Sequence, residues 1–109
     1  MAFIKCQYTN DYLLTFLKSY RGYEDMLLCM ELVAENEERL VKVRERVYLP
    51  VAQQKQESLH KVEKNLRTFR KVFFINGGQE YLETCLERKI DAELYPRELI
   101  EALAECMKG

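Results

Sequence analysis

The sequence predicts an all-α fold, a small bundle of about five helices built around a long antiparallel helical hairpin of coiled-coil type. Glycine and proline are scarce, with four and two residues in a chain of 109, and residues typical of helices are abundant. Apolar side chains recur at alternating steps of three and four residues, which is the pattern of one helix packed against another. This pattern occurs twice, once on each side of Pro50.

The two repeats are mirror images about Pro50. The first consists of Met26, Cys29, Val33, Asn36, Leu40, Val43 and Val47, and the second of Ala52, Lys55, Leu59, Val62, Leu66, Phe69 and Phe73. We predict a helix over about 23–47, a turn at Pro50 and a helix over about 51–75. Folded back at the turn, the repeats pair in layers, so that Leu40 faces Leu59 and Met26 faces Phe73. The polar Asn36 and Lys55 then lie in the seam, where such residues can fix register.

The other helices are predicted from their end signals. A first helix ends near Gly22, since glycine is common just after a helix. The sequence Asn76-Gly77-Gly78 is a strong helix stop. A fourth helix follows over about 79–94. Pro96 suits the first turn of a fifth helix, where its missing N–H is not needed.

The chain is predicted to be one domain, 1–109, divided into a base and an arm. Apolar positions are numerous near the open end of the hairpin and shrink to the seam alone towards Pro50. Residues 1–34 and 66–109 would form the base, and residues 35–65 the hairpin arm. The pattern leaves open whether the arm projects from the base or packs down onto it.

Charge is distributed in three blocks, although the net charge is only −1. Residues 1–38 carry three basic and seven acidic side chains, residues 39–71 carry ten and three, and residues 72–109 carry four and eight. A basic block of this kind could neutralise phosphates or bind an acidic partner. The nucleic-acid-binding residues in this alternative are Arg39, Lys42, Arg46, Lys64, Arg67 and Lys71.

The function that the sequence favours first is a non-enzymatic protein-interaction module, such as an adaptor, a regulator or an inhibitor subunit. Its partner-binding residues would be Tyr48, Leu49 and Val51, which a hairpin turning at Pro50 would expose at its tip. The partner would be a protein, with nucleic acid as the alternative. A homodimer that closes apolar faces at the base is left open.

The residue inventory argues against an enzyme, a metal site or another cofactor. The chain has one histidine, His60, which nearly excludes histidine-based triads and multi-histidine metal sites. Its four cysteines are widely spread and form no C-x-x-C pair, so we predict reduced thiols, mostly in the core. Glu80, Glu83 and Glu87 share a helix face, but that face is opposite the apolar one and is predicted to meet solvent.

Two further expectations concern DNA-binding motifs and location. A helix-turn-helix made of the last two helices is disfavoured, because the second of them carries Glu98, Glu101 and Glu105, which would repel phosphate. The N-terminus lacks the pattern of a signal peptide, and no apolar run is long enough to span a membrane. A cytoplasmic protein without membrane association is therefore expected.

Overall fold

The computed structural model describes residues 17–20, 22–91 and 94–108, and all regular structure in these ranges is helical. The α-helices are α1 (Gly22–Glu35), α2 (Leu49–Lys55), α3 (Leu59–Ile75), α4 (Gly78–Leu86) and α5 (Pro96–Lys108). A 3-10 segment (Glu37–Lys42) and a π-helical segment (Arg44–Tyr48) connect α1 to α2. The predicted all-α bundle is confirmed. Most of the predicted first helix lies outside the described residues.

Helix α1 ends earlier than predicted because Asn36 caps the next segment. Asn36 has extended backbone angles, φ −155° and ψ 104°. Its side-chain Oδ1 accepts a hydrogen bond from the backbone N–H of Glu38 at 3.0 Å. Asparagine is a preferred N-cap for this reason. Asn36 is therefore exposed at a helix boundary, and the predictions of a continuous helix over 23–47 and of Asn36 as a buried seam residue are wrong.

The chain does not turn at Pro50, so the predicted hairpin turn is wrong. The backbone remains helical from the π-helical segment into α2, and Pro50 lies in the first turn of α2. Proline donates no N–H to the preceding turn, and the wider π-helical turn before it accommodates this loss within the continuous helix. The backbone N–H of Leu49 reaches back to the carbonyl of Arg44, as in a π-helical turn. The reversal occurs later, at residues 56–58.

The segment predicted as an arm is part of the compact bundle. The principal extents of the molecule are 34 × 28 × 26 Å. Within residues 35–65, the side chains of Leu40, Val47, Val51 and Val62 are at most 6% exposed. Of the two arrangements that the sequence leaves open, the structure shows the packed one.

The core forms where α1 meets α3 and α5. The largest wholly buried side chains of the described residues are Phe69, Phe73, Leu17, Met26, Met30, Leu66, Leu82, Leu99, Ile100 and Leu103, and most of them belong to these three helices. The predicted layer of Met26 against Phe73 does not describe the register of α1 and α3, because the neighbouring Asp25 binds Asn65. The apolar stripes of α1 and α3 are buried as predicted. The two helices are joined by the helical segments over residues 37–55 and the turn at 56–58, and not by one hairpin turn at Pro50.

The C-terminal helices begin at or next to the positions that their sequence signals predict. Helix α3 ends at Ile75, and Gly77 adopts the left-handed φ of +95° that favours glycine. Helix α4 is shorter than predicted, since it ends at Leu86 with Glu87 in the left-handed region at φ 54°. Helix α5 begins at Pro96, as predicted. None of the described helices has the length and apolar character needed to cross a membrane.

Candidate nucleic-acid interface

Helices α2 and α3 are joined by a tight turn over residues 56–58. Gln56 adopts a left-handed conformation, φ 55° and ψ 43°. The N–H of Gln56 donates to the carbonyl of Gln53 at 3.3 Å, and the N–H of Glu57 donates to the carbonyl of Ala52 at 2.9 Å. These two bonds form a Schellman motif, which ends a helix abruptly. A helix followed by a three-residue turn and a second helix has the layout of a helix-turn-helix.

Helix α3 begins at a capping serine. Ser58 has an extended backbone, and its Oγ accepts a hydrogen bond from the N–H of Lys61 at 3.0 Å. Ser58 therefore satisfies one of the amides left unpaired at a helix start. Beyond the cap, α3 is strongly amphipathic. Its buried stripe consists of Val62, Leu66, Phe69 and Phe73.

The opposite face of α3 is basic and exposed. Lys64, Arg67 and Lys71 recur at steps of three and four residues and are all exposed, as the sequence predicted. Within the ranges that the structure describes, they take part in no ion pair. His60 and Thr68 are also exposed on α3. The face therefore offers cations, an imidazole and a hydroxyl to a partner.

The basic residues before α2 divide into two groups. The Arg39 guanidinium donates to the carbonyl of Leu32 at 2.5 Å and to Glu35 Oε1 at 2.8 Å, so it is engaged with the end of α1. Lys42 and Arg46 are exposed, in the 3-10 and π-helical segments. Of the six predicted nucleic-acid-binding residues, Arg39 is thus the one already engaged by contacts within the described fold.

The three predicted partner-binding residues do not form an exposed tip. Tyr48 is 7% exposed and Val51 is 1% exposed, whereas Leu49 is 40% exposed. Burial raises the pKa of Tyr48 to about 12, with smaller contributions from Cys29 and Glu63 that also raise it and from Arg97 that lowers it. The prediction of an exposed tip is wrong for Tyr48 and Val51, because Pro50 continues a helix and does not form a turn.

Polar contacts join α1 to both helices of the helix-turn-helix. Lys55, the last residue of α2, has its Nζ 2.9 Å from Glu24 Oε1 and 3.3 Å from Asp25 Oδ1. Desolvation lowers the pKa of Lys55, but its interactions with the carboxylates of Glu24 and Asp25 raise that pKa by more, so Lys55 remains protonated. Asn65 of α3 donates from Nδ2 to Asp25 Oδ2 at 2.9 Å. No sequence pattern predicts these contacts, because they join residues that are far apart in the chain.

Glu80 and Glu83 of α4 and Glu87 just after it are not arranged as a metal site. Glu83 Oε2 accepts a hydrogen bond from the backbone N–H of Ile90 at 3.0 Å, which fixes the segment after α4. Glu80 and Glu87 are exposed. Over the described ranges, no group of three or more histidine, cysteine or carboxylate side chains is placed to hold a metal ion.

The sequence pattern does not indicate the helix-turn-helix of α2 and α3, because it predicts the chain reversal at Pro50. The sequence suggests such a motif only for the last two helices, where acidic residues disfavour it. Ser58 is a sequence signal that could have located it, since serine ahead of an amphipathic stretch marks a helix start. Gln56 gives no such signal, because the left-handed position usually carries glycine or asparagine.

Comparison with known proteins matches most of the chain to a protein family. Curated proteins and solved structures yielded no match. The family model described as "Sporulation initiation factor Spo0A C terminal" matches residues 13–107, which is most of the chain and includes every helix described above up to the last turn of α5. The protein therefore belongs to the family of the Spo0A C-terminal domain.

Proposed function

We propose that this domain is a DNA-binding regulator that recognises duplex DNA through the helix-turn-helix of α2 and α3. The observation that supports this most is the tight turn at residues 56–58, which leads into a long helix with an exposed basic face. In helix-turn-helix proteins the second helix enters the major groove and the first crosses the phosphate backbone. Helix α3 would be the recognition helix.

Membership of the family supports the same function. The C-terminal domain of Spo0A is a DNA-binding helical domain. The alternative that the sequence offered, a nucleic-acid-binding subunit, is thus favoured over the protein-interaction module. A protein partner and a homodimer stay predictions. A regulator of this kind would act on DNA in the cytoplasm, without catalysis.

The exposed residues of α3 divide into two proposed roles. Recognition helices contact base edges mainly with their N-terminal residues. His60 and Lys64 lie in that half of α3 and would face bases, with Arg67 following them along the same side. Arginine or lysine can donate to the O6 and N7 of guanine. Lys71, further along the helix, would contact a phosphate, which positions the protein without reading sequence.

The segments before α2 would supply further phosphate contacts. Lys42 and Arg46 are exposed there. Arg44 Nε lies 2.8 Å from Glu63 Oε2, which ties the π-helical segment to α3. With the π-helical segment held against α3, Lys42 and Arg46 could contact the phosphates of one strand while α3 lies in the major groove.

Selection from a pool of randomised duplexes, followed by affinity measurement on an enriched sequence, tests this proposal. Replacing Lys64 and Arg67 with alanine should weaken binding by about tenfold to a hundredfold or more, since a good base contact is worth roughly 1–3 kcal/mol. The matched control replaces Lys18 and Lys89 with alanine. Both side chains are exposed and lie outside α2 and α3, and the double change removes the same charge. Failure to enrich any sequence, or equal losses in the two double variants, would contradict the proposal.

A further inference from the structure

Asp25 is the one buried charged side chain among the residues that the structure describes, with 0% exposure. It lies on α1, outside the helix-turn-helix, yet it contacts both of that motif's helices. Asn65 of α3 donates to its Oδ2 at 2.9 Å. The Nζ of Lys55, at the end of α2, lies 3.3 Å from its Oδ1. One carboxylate therefore connects α2 and α3 through α1.

The two oxygens of Asp25 are compensated in different ways. Oδ2 accepts the hydrogen bond from Asn65, whereas Oδ1 accepts no hydrogen bond from the described residues and faces only the charge of Lys55. A buried charge is strongly unfavourable when it loses its partner. Any displacement of α2 that moves Lys55 away would leave Oδ1 uncompensated. The carboxylate thus opposes movement of α2 relative to α1.

Helix α1 also meets α3 at very close range beside this contact. A Cβ added to Gly22 would lie 2.4 Å from the carbonyl oxygen of Asn65 and 2.8 Å from Cβ of Phe69. Only a glycine allows this approach of the two backbones. The contact places Asp25 at a rigid junction, so that the bond to Asn65 fixes the position of α3 along α1.

Glu24 differs from the neighbouring Asp25 in its exposure to solvent. It also binds Lys55, at 2.9 Å, but its side chain is 75% exposed. A solvent-exposed ion pair can move with little change in free energy. Glu24 and Asp25 therefore present the same charge to the same lysine, and only Asp25 can hold α2 and α3 in one relative position.

We propose that Asp25 is a positioning residue for DNA recognition, which sets the orientation of α3 relative to α2 through Lys55 and Asn65. This inference rests on the proposed function. Preorganisation of a binding surface increases affinity because less freedom is lost on association. Asp25 would contribute in this way without touching DNA.

Whether a substitution at Asp25 strengthens or weakens DNA binding distinguishes a positioning role from a purely electrostatic one. Replacing Asp25 with asparagine removes a negative charge, which by electrostatics alone would strengthen binding to the polyanion. Positioning predicts the reverse. Asparagine can still hydrogen-bond Asn65 once that amide rotates, but it carries no negative charge. Lys55 therefore loses its buried counter-charge, and α2 loses its attachment to α1.

The experiment compares wild type, Asp25→Asn and Glu24→Gln on a duplex enriched by the wild-type protein, at a temperature where thermal unfolding shows all three folded. Asp25→Asn should weaken binding by about tenfold, and Glu24→Gln should leave it unchanged or strengthen it slightly. Since the folded fraction is matched, a merely structural role would leave affinity unchanged. Equal affinities of wild type and Asp25→Asn would overturn the inference.

Two additions keep the test decisive. If Asp25→Asn fails to fold, Asn65→Ala replaces it, because this change removes the link to α3 and leaves the pair of Asp25 and Lys55 in place. An Asn65→Ala variant that binds the duplex as tightly as wild type would then overturn the inference. Amide hydrogen exchange on the DNA-free proteins is the second readout. Faster exchange confined to residues 49–58 in Asp25→Asn, or to the first half of α3 in Asn65→Ala, supports positioning. Unchanged exchange refutes it. This readout needs no DNA, so it tests the inference even if the wild-type protein binds no duplex and the proposed function fails.

Discussion

The backbone N–H of Glu57 donates to the carbonyl oxygen of Ala52 at 2.9 Å, across the left-handed residue Gln56. This bond ends α2 and directs the chain into α3. The turn of the helix-turn-helix thus depends on Gln56, which adopts a left-handed backbone conformation that favours glycine.

Replacing Gln56 with glycine should therefore stabilise the protein. The left-handed conformation is unfavourable for glutamine by about 1–2 kcal/mol, and part of the gain is offset by the greater freedom of glycine in the unfolded chain. We expect a net increase of about 0.5–1 kcal/mol in the free energy of unfolding. The matched control is Gln54→Gly in α2, where glycine should lower stability by about the same amount. Urea denaturation measures both, and a loss in Gln56→Gly would contradict the described turn.

Tyr48 and Leu49 are adjacent but should respond very differently to alanine. Tyr48 is 7% exposed and Leu49 is 40% exposed. Truncating a buried aromatic side chain typically lowers stability by about 3–5 kcal/mol, and a more exposed one by much less. We expect a loss of about 3 kcal/mol for Tyr48→Ala and under about 1 kcal/mol for Leu49→Ala. Similar losses in the two variants would contradict the burial of Tyr48.

The raised pKa of Tyr48 predicts a loss of stability in alkali. The phenol ionises near 10.0 in the unfolded chain and near 12 in the fold. Between these values the unfolded state binds fewer protons, so the free energy of unfolding falls as pH rises. Tyr48→Phe should make the decrease in the free energy of unfolding with pH shallower. A smaller decrease should remain, because burial also raises the pKa values of Tyr23 and Cys29. Thermal unfolding across this pH range measures the difference, and parallel curves would argue against it.

Duplex binding should weaken steeply with salt. Each neutralised phosphate contributes roughly −0.9 to the slope of log K against log salt on duplex DNA. If Lys42, Arg46 and Lys71 contact phosphates as proposed, replacing Lys71 with alanine should make the slope about 0.9 shallower. Lys89→Ala serves as the control, because Lys89 is exposed outside α2 and α3, and it should leave the slope unchanged. A slope near zero in wild type would exclude a phosphate-binding interface.

Sequence reasoning predicted the parts of this fold that have local signals. Asn76-Gly77-Gly78 and Pro96 mark helix ends through backbone geometry that only those residue types favour. The apolar stripes of α1 and α3 were also identified, because helical periodicity follows directly from burial on one side. For the same reason Lys64, Arg67 and Lys71 were correctly placed on an exposed face.

The turn between α2 and α3 was not predictable by the same means. The periodic pattern runs through Asn36 and Gln56 without interruption, although the chain changes direction at both. Asn36 fits an apolar repeat as a polar seam residue and equally fits a cap, and only tertiary packing decides between them. The contacts of Asp25 with Lys55 and Asn65 join residues far apart in sequence, so no local pattern indicates them.

Chemical-shift mapping of the isotope-labelled protein during titration with an enriched duplex tests the central claim most directly. Insertion of α3 into the major groove predicts that the largest changes occur at the turn, residues 56–58, and at the exposed positions His60, Lys64, Arg67 and Lys71. The exposed positions of α5 should change little. Largest changes on α5 or on the segment after α4, with α3 unaffected, would contradict the claim that α3 is the recognition helix.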